Sequence, residues 1–154
     1  MRIVRAKAED AAALTDIAFA AKRHWGYPEK WIESWRELLT VQPEFIAGHD
    51  TYVAMVEERH VAFYALGRRE DKLDLLHLWV LPCAMGRGIG RALFLHALER
   101  TRELGFLELE IESDPNAEGF YRHMGARRVG SRIRELEEQR RELPILVYQI
   151  EPVS

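Results

Sequence analysis

One cysteine, Cys83, stands in 154 residues, which excludes an internal disulfide and any metal site built on several thiolates. A reducing interior is the simplest compartment for such a chain, so a cytoplasmic protein is expected. Long apolar runs are missing as well. Nowhere do about 18 apolar residues follow one another, as a bilayer-spanning helix requires. The start MRIVRAKAEDAAAL lacks the apolar stretch of a secretion signal. No membrane partner is expected. Nor is there an excess of positive charge: 22 Lys and Arg against 25 Asp and Glu give a formal charge of -3, with an isoelectric point near 6.1. Duplex nucleic acid wants a clustered basic surface, so it is not an expected partner, and a small anion suits the dispersed basic residues better. What is present is the composition of an ordinary globule: 47% apolar residues, 31% charged, four Trp and five Tyr. This length buries a core without a staple, and one domain over residues 1–154, without linker or repeat, is expected.

Local patterning alternates short strands with helices. MRIVRAK reads as a strand, and Leu14, Ile17, Ala18 and Ala21 then recur at helical spacing from Glu9 to about Arg23. After the turn at Gly26-Tyr27-Pro28, the pattern predicts a second helix running from Pro28 through Trp31, Ile32, Trp35, Leu38 and Leu39. Strands are predicted at Thr51–Glu57, Val61–Leu66 and Leu73–Leu81, forming an antiparallel meander. A helix from about Gly88 to Leu104-Gly105 precedes the alternating LELEI of residues 107–111. A short helix capped by Asp114-Pro115 and two strands, Arg127–Gly130 and Leu143–Ile150, complete the chain. Between those strands, RIRELEEQRRE (132–142) reads as an exposed, partly helical loop, self-neutralised by neighbouring ion pairs, with a lid or dimer contact as the sharper alternative.

The stretch MGRGIGRAL (85–93) follows the apolar run LLHLWVLP directly. A glycine-rich turn from strand to helix leaves backbone N–H groups unpaired beside the positive end of the helix dipole, which suits phosphate oxygens. A plain strand-to-helix turn is the bland alternative. The stretch has no Lys-Ser/Thr ending of a nucleotide P-loop and does not fit the dinucleotide fingerprint.

In its context this loop resembles the GCN5-related N-acetyltransferases. Their signature Q/R-x-x-G-x-G/A follows a strand ending in V-x-P, and here Val80-Leu81-Pro82 precedes Met85-Gly86-Arg87-Gly88-Ile89-Gly90. A second block, Asp114-Pro115-Asn116-Ala117-Glu118-Gly119-Phe120-Tyr121-Arg122-His123-Met124-Gly125-Ala126, is similar to the family segment N-x-x-A-x-x-F-Y-x-x-x-G-F. Two departures stand out: Met85 replaces the usual Gln or Arg, and Asp114 stands where Asn is common, with Asn116 two residues later. The resemblance implies an α+β fold with a mixed, mostly antiparallel, splayed sheet of six to seven strands flanked by four helices. It also implies an acetyl-CoA-dependent N-acetyltransferase without a metal. The main chain of Leu78, Trp79 and Val80 would pair with the pantetheine amides as an added strand does, and Gly86, Arg87, Gly88, Ile89, Gly90 and Arg91 would hold the pyrophosphate. Either Asp114 or Asn116 would touch the cofactor, together with Tyr121.

Acetyl transfer to an amine needs a neutral nitrogen, although an alkylammonium of pKa about 10 is protonated near neutrality, so a proton must leave. The departing thiolate gains from a donor. Tyr121 matches the family's tyrosine in that role, the alternative being a packing residue beside Phe120. Asp74 shares a strand face with Leu76, Leu78 and Val80 and is the candidate base, or else a solvated turn residue; proton loss through water without a dedicated base is the third option. His77 falls on the opposite face and reads as a core histidine, while Glu110 and Glu112 read as a solvated face. Cys83 as a covalent carrier lacks a paired base, so direct attack in a ternary complex is expected.

For the acceptor, the segment His24–Trp35 carries three tryptophans and a tyrosine, with Trp25, Tyr27 and Trp31 as candidate binding residues in an apolar or cation-binding wall. The same spacing suits Trp31 and Trp35 packed as one helix face. Glu29 and Glu33 would attract an ammonium or face water. A small-molecule amine or amino-acid derivative is the expected substrate; a protein N-terminus, aminoacyl-tRNA or a noncatalytic acyl-CoA-binding role are the rivals. A homodimer is the candidate assembly.

Overall fold

A computed structural model describes residues 1–151. Seven strands hydrogen-bond in the order β1-β2-β3-β4-β5-β7-β6. They are β1 (Arg2–Arg5), β2 (Asp50–Val56), β3 (Arg59–Arg69), β4 (Lys72–Val80), β5 (Glu108–Glu112), β6 (Arg127–Leu136) and β7 (Gln139–Gln149). Six α-helices accompany them: α1 (Ala11–His24), α2 (Glu29–Ser34), α3 (Arg36–Leu39), α4 (Pro43–Gly48), α5 (Ile89–Glu103) and α6 (Glu118–His123). The pairs β1–β2, β2–β3, β5–β7 and β6–β7 are antiparallel. The β4–β5 pair is parallel, as the α5 crossover requires. The fold is therefore the mixed, mostly antiparallel α+β class.

The chain clusters into two compact units, Met1–Leu66 with His77–Phe94, and Gly67–Leu76 with the residues from Leu95 onward. In the first, α1 buries Leu14, Ile17, Ala18 and Ala21, the stripe its spacing predicts, and β3 buries every residue from Val61 to Leu66. The tight β2–β3 turn puts both Glu57 and Glu58 at positive φ, 50° and 62°, the signature of a two-residue hairpin loop whose twist matches its strands. In the second unit Leu73, Leu75, Leu109, Ile111 and Leu146 are buried.

Two sequence-based expectations need correction. The helix predicted from Pro28 to Leu39 is two helices: Trp35 breaks it, with φ −94° and ψ 9°. Its amide is shared between the carbonyls of Trp31 and Ile32, both at 3.1 Å. A further helix, α4, begins with Pro43 in its first turn, where the missing N–H costs nothing. Among the described residues six α-helices thus stand where four were expected. The second correction concerns residues 132–142, which are no partly helical loop but the tips of the β6–β7 hairpin, turning at Glu137 with φ 55°. Period two sends Arg132 and Arg134 together to Glu112 on β5, at 2.9 and 2.7 Å. That partner lies 20 and 22 residues away and outcompetes the local helical pairs.

Candidate active site

The glycine stretch is fixed at both ends. The Leu81 N–H donates to the Val61 carbonyl at 2.8 Å, and a single turn over Pro82–Ala84 follows. Gly86 and Gly88 both take φ +78°, which side-chain-bearing residues rarely adopt; an added Cβ would meet no atom within 4 Å at either, so dihedral and not crowding demands glycine. The first bond inside α5 runs from the Ala92 N–H to the Gly88 carbonyl, 3.0 Å. Among the described residues, the amides from Gly86 to Arg91 donate to no protein acceptor. Six consecutive N–H groups are thus open at the start of a 15-residue helix, with Arg87 and Arg91 exposed beside them. Open amides, a positive dipole end and two guanidiniums fit a pyrophosphate dianion.

Upstream in β4, Leu78, Trp79 and Val80 are half-buried. The β4–β5 ladder pairs Asp74 with Glu110 and Leu75 with Ile111. The Trp79 indole N–H donates to Nδ1 of His77 at 3.0 Å. That bond requires an unprotonated Nδ1. Burial agrees, pushing the His77 pKa down to about 4, helped by the nearby His49. With Phe45 and Phe63 at 5.4 and 5.6 Å, His77 is the core-facing histidine that the strand alternation implies.

Tyr121 projects from α6 and is 6% exposed. Burial, and then the Asp114 carboxylate, push its phenol well above the usual tyrosine range, so it keeps its proton at neutral pH. Asp114 caps the turn before α6: its Oδ1 accepts from the Asn116 backbone N–H at 2.8 Å and from the Asn116 side-chain amide at 2.9 Å. The two candidates for that position thus hold each other.

Asp74 lies in a grip. Both its oxygens accept from Arg69, at 2.9 and 3.2 Å, and Arg69 also donates to Glu110 at 2.6 Å. Glu110 and Glu112 do not simply face water, as the strand pattern suggested; Arg132 reaches both, and Arg134 holds Glu112. Burial opposes the Glu112 charge, but the hydrogen bonds from Arg134 and Arg132 prevail and hold its carboxyl below the usual range. Cys83 is exposed.

The aromatic segment forms a cluster. Tyr27 stacks on Trp31 at 5.9 Å and meets Trp35 edge-on at 5.1 Å, while Trp31 and Trp35 lie 6.0 Å apart. Trp25 meets His24 instead, at 5.4 Å. Glu29 is paired with Arg23 at 2.8 Å and Glu33 with Arg36 at 2.7 Å. The residue that patterning missed is Lys22. Its ammonium sits over the rings of Trp35, Tyr27 and Trp79, at 4.4, 5.0 and 5.8 Å. A lysine four residues after Ala18 on the buried stripe of α1 was the available signal.

The model of the acetyltransferase (GNAT) domain family matches residues 47–125, which include the glycine loop and Tyr121. The chain belongs to the GNAT family and is an acetyl-CoA-dependent N-acetyltransferase. Among solved structures it is similar to a GCN5-related N-acetyltransferase from Rhodopseudomonas palustris, at 20% identity over 97% of this chain and 95% of that one, TM-score 0.81. It is also similar to the PaiA N-acetyltransferase from Thermoplasma acidophilum, solved with coenzyme A, at 21% identity over 96% and 98% of the two chains, TM-score 0.75. The ribosomal-protein-S18-alanine N-acetyltransferase from Escherichia coli shares 19% identity over 99% and 96%, TM-score 0.73. These likenesses are of fold. No curated protein sequence matches the chain.

Proposed function

We propose that residues 1–154 act as a single N-acetyltransferase domain that acetylates the primary amine of a small molecule or amino-acid derivative, by direct attack within a ternary complex. The observation that carries the reading is the row of open amides from Gly86 to Arg91. These amides, with Arg87 and Arg91, hold the pyrophosphate of acetyl-CoA, while the main chain of Leu78 to Val80 orients the pantetheine arm. Bound there, acetyl-CoA supplies an activated acyl carbon and a thiolate leaving group.

Tyr121 provides the proton that the thiolate needs. Burial keeps the phenol protonated at neutral pH, so the proton is there for the departing thiolate to take. Asp74 is the candidate base, but both of its oxygens already accept from the Arg69 guanidinium, at 2.9 and 3.2 Å. Water therefore removes the proton from the attacking ammonium, and Asp74→Asn changes turnover by less than about threefold. Among the described residues no helix is long and apolar enough to cross a membrane.

The loop is tested by calorimetry with free coenzyme A. Gly88→Ala forces a side-chain-bearing residue into φ +78°, at a cost of about 1–2 kcal/mol, and the relaxed loop no longer aligns its amides. Affinity falls about tenfold or more while the fold persists. Unchanged affinity in the variant, or no heat with the native protein at millimolar ligand, overturns the loop assignment. Release of free coenzyme A across a panel of amines and peptide N-termini then identifies the acceptor.

A further inference from the structure

The aromatic wall expected to meet the acceptor already has a cation in it. Lys22 lies in the last turn of α1 and is 7% exposed. Its ammonium is within cation–π reach of three rings from three elements of the first unit: Tyr27 from the turn before α2, Trp35 from the α2–α3 junction, and Trp79 from β4. The rings are themselves fixed. Tyr27 and Trp35 meet edge-on at 5.1 Å, and the Trp79 indole is tied to His77 at 3.0 Å. A preorganised three-ring cage of this kind is the chemistry that recognises organic ammonium ions. The two acids that would draw an ammonium to the segment, Glu29 and Glu33, are held by Arg23 and Arg36.

We propose that Lys22 is a specificity-determining residue: it occupies the Tyr27–Trp35–Trp79 cage as a resident cation and so excludes acceptors that carry a second ammonium group. This deepens the small-amine reading and rests on it for the claim that the wall borders the acceptor. The physical reasoning is direct. The ring faces already engage a positive charge, and a second one brought near a desolvated ammonium is repelled far more than in water. The favoured acceptor is an amine with no other cationic group; diamines and polyamines are disfavoured.

Two measurements on the full chain test this. In the first, tetramethylammonium is titrated against tryptophan fluorescence, with sodium chloride as the ionic-strength control. The native protein shows no saturable change, while Lys22→Ala, once its thermal melt shows it folded, binds in the millimolar range. Equal binding by both proteins, or none by the folded variant, overturns the cage. In the second, kcat/KM is compared for butylamine and 1,4-diaminobutane. The native enzyme prefers the monoamine by about tenfold or more, Lys22→Met brings the ratio near unity, and Lys22→Arg keeps it. An unchanged ratio in folded Lys22→Met overturns the specificity role. Turnover of neither amine by the native enzyme sinks the small-amine reading, and the tetramethylammonium titration then decides the cage alone.

Discussion

Tyr121 and His77 show how one physical effect, burial, prepares two side chains for different work. Desolvation disfavours charge, so it holds the phenol protonated and the imidazole neutral. For Tyr121 the proposed consequence is catalytic. Removing only its hydroxyl, in Tyr121→Phe, lowers kcat by about 10²–10⁴ with coenzyme A affinity unchanged, as steady-state rates and calorimetry together would show. An equal loss of affinity would make Tyr121 a binding or packing residue instead. For His77 the consequence is stability. The unfolded histidine takes up a proton below its ordinary 6.5, whereas the folded one stays neutral down to about 4. The unfolded state therefore gains protons first, and stability falls as pH drops from 6.5 to 4. The loss is of order 3 kcal/mol at most. Urea melts at pH 7, 5.5 and 4.5 would reveal it, and His77→Asn, which still offers Trp79 an acceptor oxygen, flattens that part of the slope.

Among elements, the β6–β7 hairpin and the helices before β2 carry the contrast between sequence and structure. The strands β2 to β5 were legible because apolar residues alternate or run together between clear turns, as in Val61–Leu66. The hairpin tip was not, because β6 is exposed along most of its length and offers no apolar period to read. Its partner set is remote: Arg132 and Arg134 converge on Glu112, and Arg132 also reaches Glu110. Glu112→Gln removes the charge that holds both arginines, so at pH 7 the variant is less stable by about 1–2 kcal/mol after allowance for partial exposure. The native carboxyl is held below its ordinary range, so this contribution is present above the unfolded pKa and vanishes as pH falls through the lower folded value. Native and variant melts should therefore converge in acid. The broken helix around Trp35 was hidden for the opposite reason: Trp31, Ile32, Trp35, Leu38 and Leu39 keep a helical period straight through the break.

For the whole molecule the prediction is kinetic. The proposed direct attack requires amine and thioester bound together and gives the exposed Cys83 no part as a carrier. Initial rates with both substrates varied should intersect in double-reciprocal form, and Cys83→Ala should keep the native rate within about twofold; parallel lines would signal a covalent intermediate. Sequence by itself determined the succession of the strands, the glycine loop and the place of Tyr121, since these depend on neighbours a few residues away: glycine dihedrals, caps and period. Only tertiary structure decided that Asp74 is gripped by Arg69, that Glu112 gathers two arginines, and that Lys22 fills a ring of aromatics. Each of those depends on charges and π faces brought together by packing from distant positions, and local spacing carries no record of such meetings.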